Sequence, residues 1–204
     1  FRYKPRYRPA LITYGAIAAI FSLILIIGAP HLLWWGLVYL PLIVASFYLS
    51  WAKKERSLLA RLVAIAAACL VLPLAINVDM PHPWFAADAI APKGWYLCAL
   101  LTTYFATTVP FVKTVIRERN STPWFVGSIT VHVIATLAMA ALAVQGYNYW
   151  THVLVWALLT GRAVAMPLLA KHRGVPWRPR NIGMPEIGYS LLVFATLPYG
   201  LAFP

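Results

Sequence analysis

The chain has 204 residues, of which 62% are apolar and only 11% charged, with 17 Lys and Arg against 5 Asp and Glu for a net charge of +12. Soluble globular chains are about 45–50% apolar and about 25% charged, so this composition excludes an ordinary soluble domain and a disordered tail and indicates an integral membrane protein. A basic excess of this size serves either nucleic acid or a membrane, and the placement of the charges decides for the membrane.

Seven long apolar stretches follow one another: Leu11 to Ile27, Leu32 to Trp51, Ser57 to Ile76, Trp95 to Val112, Trp124 to Val144, Trp150 to Leu169 and Ile187 to Phe203. Each approaches the ~20 residues a helix needs to cross a hydrocarbon core of about 30 Å. None shows β-barrel alternation, and helices satisfy their own backbone groups in lipid. The expectation is an all-α, polytopic transmembrane bundle of about seven spanning helices, one domain over residues 1–204.

The loops alternate in charge. Arg2, Lys4, Arg6 and Arg8 precede the first span, and no basic residue lies around Gly28 to His31. Lys53, Lys54, Arg56 and Arg61 follow the second span, and Lys93 alone lies between the third and fourth. Lys113, Arg117 and Arg119 follow the fourth, and Gln145 to Tyr149 has none. Arg162, Lys171, Arg173, Arg178 and Arg180 sit before the seventh, so sixteen of the seventeen basic residues fall on one side. The positive-inside rule makes that side cytoplasmic, with the N-terminus inside and the C-terminus outside. Asp79 and Asp88 map outside; Glu55, Glu118 and Glu186 map inside. Trp34, Trp35, Trp84, Trp95 and Trp150 map near the outer face, Trp51, Trp124 and Trp177 near the inner face, and only Trp156 falls well within a span. Phe1 does not read as a translation start, so upstream sequence is expected.

Arg162 is the most unusual residue, because it lies nine residues before Lys171, roughly 13 Å along a helix. Three readings stand side by side. Arg162 snorkels to the inner headgroups, with Pro167 breaking the helix below it; it pairs with Glu118 or Glu186; or it binds a ligand anion. Lys113, Arg117, Glu118 and Arg119 form a second cluster, and the segment from His172 to Glu186, with Arg178 and Arg180, forms a third. Glu186 is expected at the start of the last helix, where the dipole favours a carboxylate. Lys113, Arg117, Arg119, Arg162, Arg178 and Arg180 are therefore the candidate anion or lipid-headgroup residues, with Glu118 and Glu186 as ion-pair partners. The ligand would be cardiolipin, a phosphoinositide headgroup or an isoprenoid diphosphate. The alternative is that these charges only set topology and anchor the chain at the interface.

His132 and His152 map to opposite halves of the membrane, which disfavours a bis-histidine haem. His31, His82, His152 and Asp79 share the outer face without metal-ligand spacing. Phosphate-loop, nucleophile-elbow, HExxH, CxxC and DxxxD patterns are absent, so neither a catalytic set nor a cofactor or metal site is expected. The three basic residues of SWAKKERSLL lie beside a membrane span, so nucleic acid is not an expected partner. Cys69 and Cys98 read as small packed groups.

The stretches TYFATTVPFVKTVIRERN, KKERSLLARLVAIAAACLVLP, RPRNIGMPEIGYSLLVF and APHLLWWGLVYLPLIVASFYLSW resemble the YwiC-like family of bacterial membrane proteins. The resemblance runs from about Arg8 to about Phe194. It implies a location in the bacterial plasma membrane and an upstream helical hairpin, opening with Gln-His-Gly-Ala-Trp, that this sequence lacks. The implied function is a non-catalytic accessory subunit of a larger complex, the respiratory cytochrome bcc–aa3 oxidase supercomplex, with other integral membrane subunits as partners. The alternative function is a membrane enzyme or carrier that handles an anionic lipid or isoprenoid diphosphate at a basic cytoplasmic-side pocket. A small secondary transporter would need broken helices and midplane polar groups, for which Pro110 and Pro167 are the only cues.

Overall fold

The structure is a computed structural model that describes residues 8–78, 92–198 and 200. Arg2, Lys4, Arg6, Asp79, His82, Trp84, Asp88 and the end of the seventh expected span lie outside the described residues. The described residues form helices and turns without a strand. In order these are α1 (Arg8–Gly28), a 3₁₀ turn (Pro30–Trp34), α2 (Trp35–Trp51), α3 (Leu58–Cys69), α4 (Val71–Asn77), α5 (Pro92–Ile116), α6 (Thr122–Val144), α7 (Trp150–Arg173) and α8 (Pro179–Thr196). The protein is an all-α polytopic membrane bundle.

Local chemistry sets the ends. Ser57 caps α3 by accepting the Ala60 N–H at 3.1 Å, which satisfies one of the otherwise unpaired first-turn donors. α7 ends at Gly174, whose φ of +63° is a left-handed conformation that glycine adopts without a Cβ penalty. The third expected span divides at Leu70 into α3 and α4. Pro73, inside α4, has no N–H to bond the carbonyl four residues back, so the ladder is interrupted at the break.

The last helix differs most from the sequence expectation. It runs from Pro179 to Thr196 rather than from Ile187 to Phe203. Pro179 is favoured at a helix start, and Arg178 before it is extended. At the other end, Leu197 is extended ahead of Pro198, which stops the helix. Glu186 therefore sits two turns inside α8, not at its N-terminus, and the helix dipole does not account for it. Among the described residues six helical segments are long and apolar enough to span a membrane; α8, with Arg180, Asn181 and Glu186 along it, is not one of them. α7 is continuous through Pro167, so the expected break below Arg162 is absent.

α5 is the hub and touches α3, α4, α6, α7 and α8, while α6 and α7 share the most extensive interface. The main core joins Leu101 and Tyr104 of α5, Met139 of α6, Trp156 and Leu159 of α7 and Val193 of α8. Hydroxyls inside the apolar helices are satisfied locally: Thr103, Thr108, Thr114 and Thr136 each donate to the carbonyl four residues back. A smaller core joins the 3₁₀ turn, α2 and α4, where the buried Trp35 Nε1 donates to Asn77 Oδ1 at 2.8 Å and its ring stacks on Trp95. α1 stands apart. It buries none of its 21 residues, and its main contact is the 3₁₀ turn that follows it.

Candidate functional site: a basic pocket and a buried polar cluster

A cavity of about 950 Å³ opens where the C-terminal ends of α5 and α7 meet the start of α6. Its charged lining is Arg117, Glu118, Arg119 and Lys171; Val115, Phe125, Pro167 and Leu168 supply apolar wall. Arg119 is held by its Nε–H, which donates to the Ile116 carbonyl at 2.7 Å. Ser121, ahead of α6, makes no side-chain cap, so first-turn N–H groups of α6 remain open to an anion at the positive end of the helix dipole.

Of the residues expected to form a single cradle, the structure brings only Arg117 and Arg119 into this lining, with Glu118 beside them. Lys113 instead lies over the Trp124 ring at 3.7 Å, a cation–π contact that anchors α5 to α6. Arg178 and Arg180 are exposed at the start of α8 and are not part of the lining. Lys171, one turn above Pro167, was not among the expected binding residues. Its helix phase relative to the α5–α6 loop was not readable without knowing how α6 and α7 pack.

Arg162 belongs to a second centre deeper in the bundle. It is 5% exposed, so it does not snorkel, and its Nη1 donates to Glu186 Oε1 across the α7–α8 interface. Its guanidinium lies over Phe111 at 4.1 Å and over Tyr189 at 4.7 Å, so an aromatic ring from α5 and another from α8 hold its plane. The fully buried His132 of α6 packs edge-on against the same Phe111. Its Nδ1–H donates to the Ser128 carbonyl at 2.7 Å, which leaves Nε2 of the neutral ring as an acceptor. Nearby, Tyr104 and Ser190 share a hydrogen bond of 2.9 Å between α5 and α8.

His152 is a contrast. Its Nε2 accepts from Trp156 Nε1 at 3.1 Å, and its Nδ1 bonds Thr196 Oγ1 at 2.9 Å. Both nitrogens are thus occupied in a structural role. His31 bonds the Asn77 carbonyl. Among the described residues no group of three or more His, Cys, Asp or Glu side chains is gathered for a metal. The signal that sequence reading missed is spacing: Ser128, His132 and Thr136 recur every four residues on α6, and His152, Trp156 and Thr160 do so on α7. Thr136 and Thr160 meet at 2.8 Å where the stripes face each other.

The family model described as YwiC-like protein matches residues 2–76, from before α1 into α4. A curated relative, "Uncharacterized protein YwiC" of Bacillus subtilis (strain 168), is 25% identical over 184 residues, covering 90% of this chain and 69% of the relative. The chain is thus similar to the YwiC-like family, through the family model over residues 2–76 and through this distant relative over most of its length. An "Uncharacterized protein" of Haemophilus influenzae is 27% identical over 131 residues, 64% of this chain and 52% of that relative's length. No solved structure matches the chain. The family-model match ends before α5, so the pocket and the buried cluster lie downstream of it.

Proposed function

We propose that this multi-pass membrane protein holds the phosphate headgroup of an anionic lipid or isoprenoid diphosphate in the basic pocket, in a bacterial plasma membrane with that end facing the cytoplasm. The observation that carries the reading is the mixed lining: Arg117, Arg119 and Lys171 stand beside Val115, Phe125, Pro167 and Leu168. Charge next to hydrocarbon wall suits an amphiphile, whose phosphate meets cations while its chain meets apolar surface. The positive end of α6 adds to the same field.

The test is binding of the purified full chain to phosphatidylcholine vesicles doped with cardiolipin, phosphatidylglycerol or an isoprenyl diphosphate. Each basic residue near an anionic headgroup is worth about 1 kcal/mol, so the Arg117→Ala, Arg119→Ala, Lys171→Ala triple variant is expected to bind about 100-fold more weakly. Equal binding by the parent and triple variant would refute the reading.

A second reading is the non-catalytic accessory subunit of a larger membrane complex, with the respiratory cytochrome bcc–aa3 assembly as the partner. α1 favours it, because a 21-residue apolar helix with no buried residue leaves most of its surface available to another subunit. Mild-detergent purification of the tagged full chain should then bring cytochrome subunits along, and removal of α1 should release them. Recovery of the chain free of cytochromes would set this reading aside.

A further inference from the structure

Five buried side-chain atoms among the described residues have no hydrogen-bond partner: Ser128 Oγ, His132 Nε2, Arg162 Nε, Arg162 Nη2 and Glu186 Oε2. All belong to the cluster around Phe111, and they come from α6, α7 and α8. Buried polar groups are nearly always paired, because an unmet donor or acceptor loses its water without a replacement, and a charged one loses most. Five such atoms on four residues of three packed helices mark a site able to receive a guest.

The donor pattern says what. Arg162 spends Nη1 on Glu186, while Nε–H and Nη2–H stay open. Those two N–H groups point the same way and form the fork that grips a planar two-oxygen acceptor bidentately. Phe111 and Tyr189 fix the plane of the fork. Ser128 Oγ–H can supply a third donor. We propose that this cluster is an internal binding site for a small carboxylate-type oxyanion, and that the anion enters together with one proton.

Charge balance requires the proton. Arg162 and Glu186 together are neutral, so an added anion alone would leave an uncompensated negative charge in an apolar bundle, which desolvation strongly disfavours. The ionisable groups around the fork are Tyr104 from α5, His132 from α6, Arg162 from α7, and Glu186 and Tyr189 from α8. Glu186 Oε2 and His132 Nε2 are the two with a free acceptor, and a proton on either turns a repelling lone pair into a donor toward the guest. Anion and proton then enter as a neutral pair. The approach is short: Val115 lines the basic pocket and also packs with Phe111 and Ala163 in the apolar layer beside Arg162. This inference does not rest on lipid binding in that pocket.

The experiment uses the full chain reconstituted in phosphatidylcholine, perfused with formate or acetate at fixed pH. Infrared difference spectra with ¹²C and ¹³C probe separate bands of the guest from those of the protein, and a pH dye counts protons. The expected result is saturable binding with about one proton taken up per anion, as neutrality demands. Arg162→Lys keeps the charge but loses the fork, and should weaken binding by about 10-fold or more. Ser128→Ala leaves the charged pair in place and should weaken it by about 2- to 10-fold. Glu186→Gln or His132→Gln, whichever removes the protonated group, should abolish proton uptake. The Arg117→Ala, Arg119→Ala, Lys171→Ala variant should leave the affinity for formate unchanged, which separates this site from the pocket above it. Absence of any saturable signal, binding without proton uptake, or affinity unaltered in both Arg162→Lys and Ser128→Ala would overturn the proposal.

Discussion

Replacing Arg162 with Leu is expected to destabilise the bundle by about 3–5 kcal/mol, because Glu186 is left as an uncompensated charge inside it. Glu186→Leu should cost a similar amount, since the 5% exposed Arg162 then has no anion. The double replacement should recover most of the loss, for a leucine pair needs no desolvation and fits the apolar layer of Phe111, Val115 and Ala163. Thermal or denaturant unfolding of the four proteins in one detergent gives the cycle directly. Additive losses, with the double variant weaker than either single one, would show that the two side chains are not coupled.

The second large effect belongs to Trp156. Its ring is fully buried at the centre of the main core, and its Nε1–H completes the bonding of His152. Trp156→Ala removes that packing and leaves a histidine nitrogen without its donor, for an expected loss of about 3–5 kcal/mol. Trp156→Phe keeps most of the volume and isolates the hydrogen bond, so it should lose only about 1–3 kcal/mol. The same unfolding assay ranks the two, and equal losses would place the whole effect in the hydrogen bond.

Hydropathy and charge made the helices visible before any coordinates. Six of the seven expected stretches correspond to helical segments displaced by only a few residues at most ends, because burial in lipid and burial in a bundle ask for the same apolar runs. The seventh misled for a physical reason. Its apolar run begins at Ile187, but the helix is started by Pro179 and ended ahead of Pro198, two steric signals that hydropathy does not weigh. That shift changed the meaning of Glu186, from a residue at a dipole to a charge held inside the bundle. Arg162 was legible as unusual because arginine is rare at that depth, yet its surroundings were not. Which of Phe111, His132 and Tyr189 meets it depends on how four helices rotate against one another. The four-residue recurrence of polar side chains on α6 and on α7 was present in the sequence all along; what the sequence lacked was the pairing of one recurrence with the other.

That pairing has a mechanical consequence. Thr136 meets Thr160 and also reaches the Trp156 carbonyl at 3.2 Å, so α6 and α7, the pair with the most extensive interface, are pinned to each other there. Sliding one past the other by a turn, about 5.4 Å, would strip these bonds at once and leave hydroxyls stranded. The two helices therefore act as one stiff plate. α8 is fastened to the rest by a few side-chain links, chiefly Glu186 to Arg162, Ser190 to Tyr104 and Thr196 to His152. Each of these can be exchanged for a partner of like chemistry without breaking the backbone ladder, so neutralising Glu186 would release one of three polar ties while the apolar packing of Ile182 and Val193 keeps α8 in place.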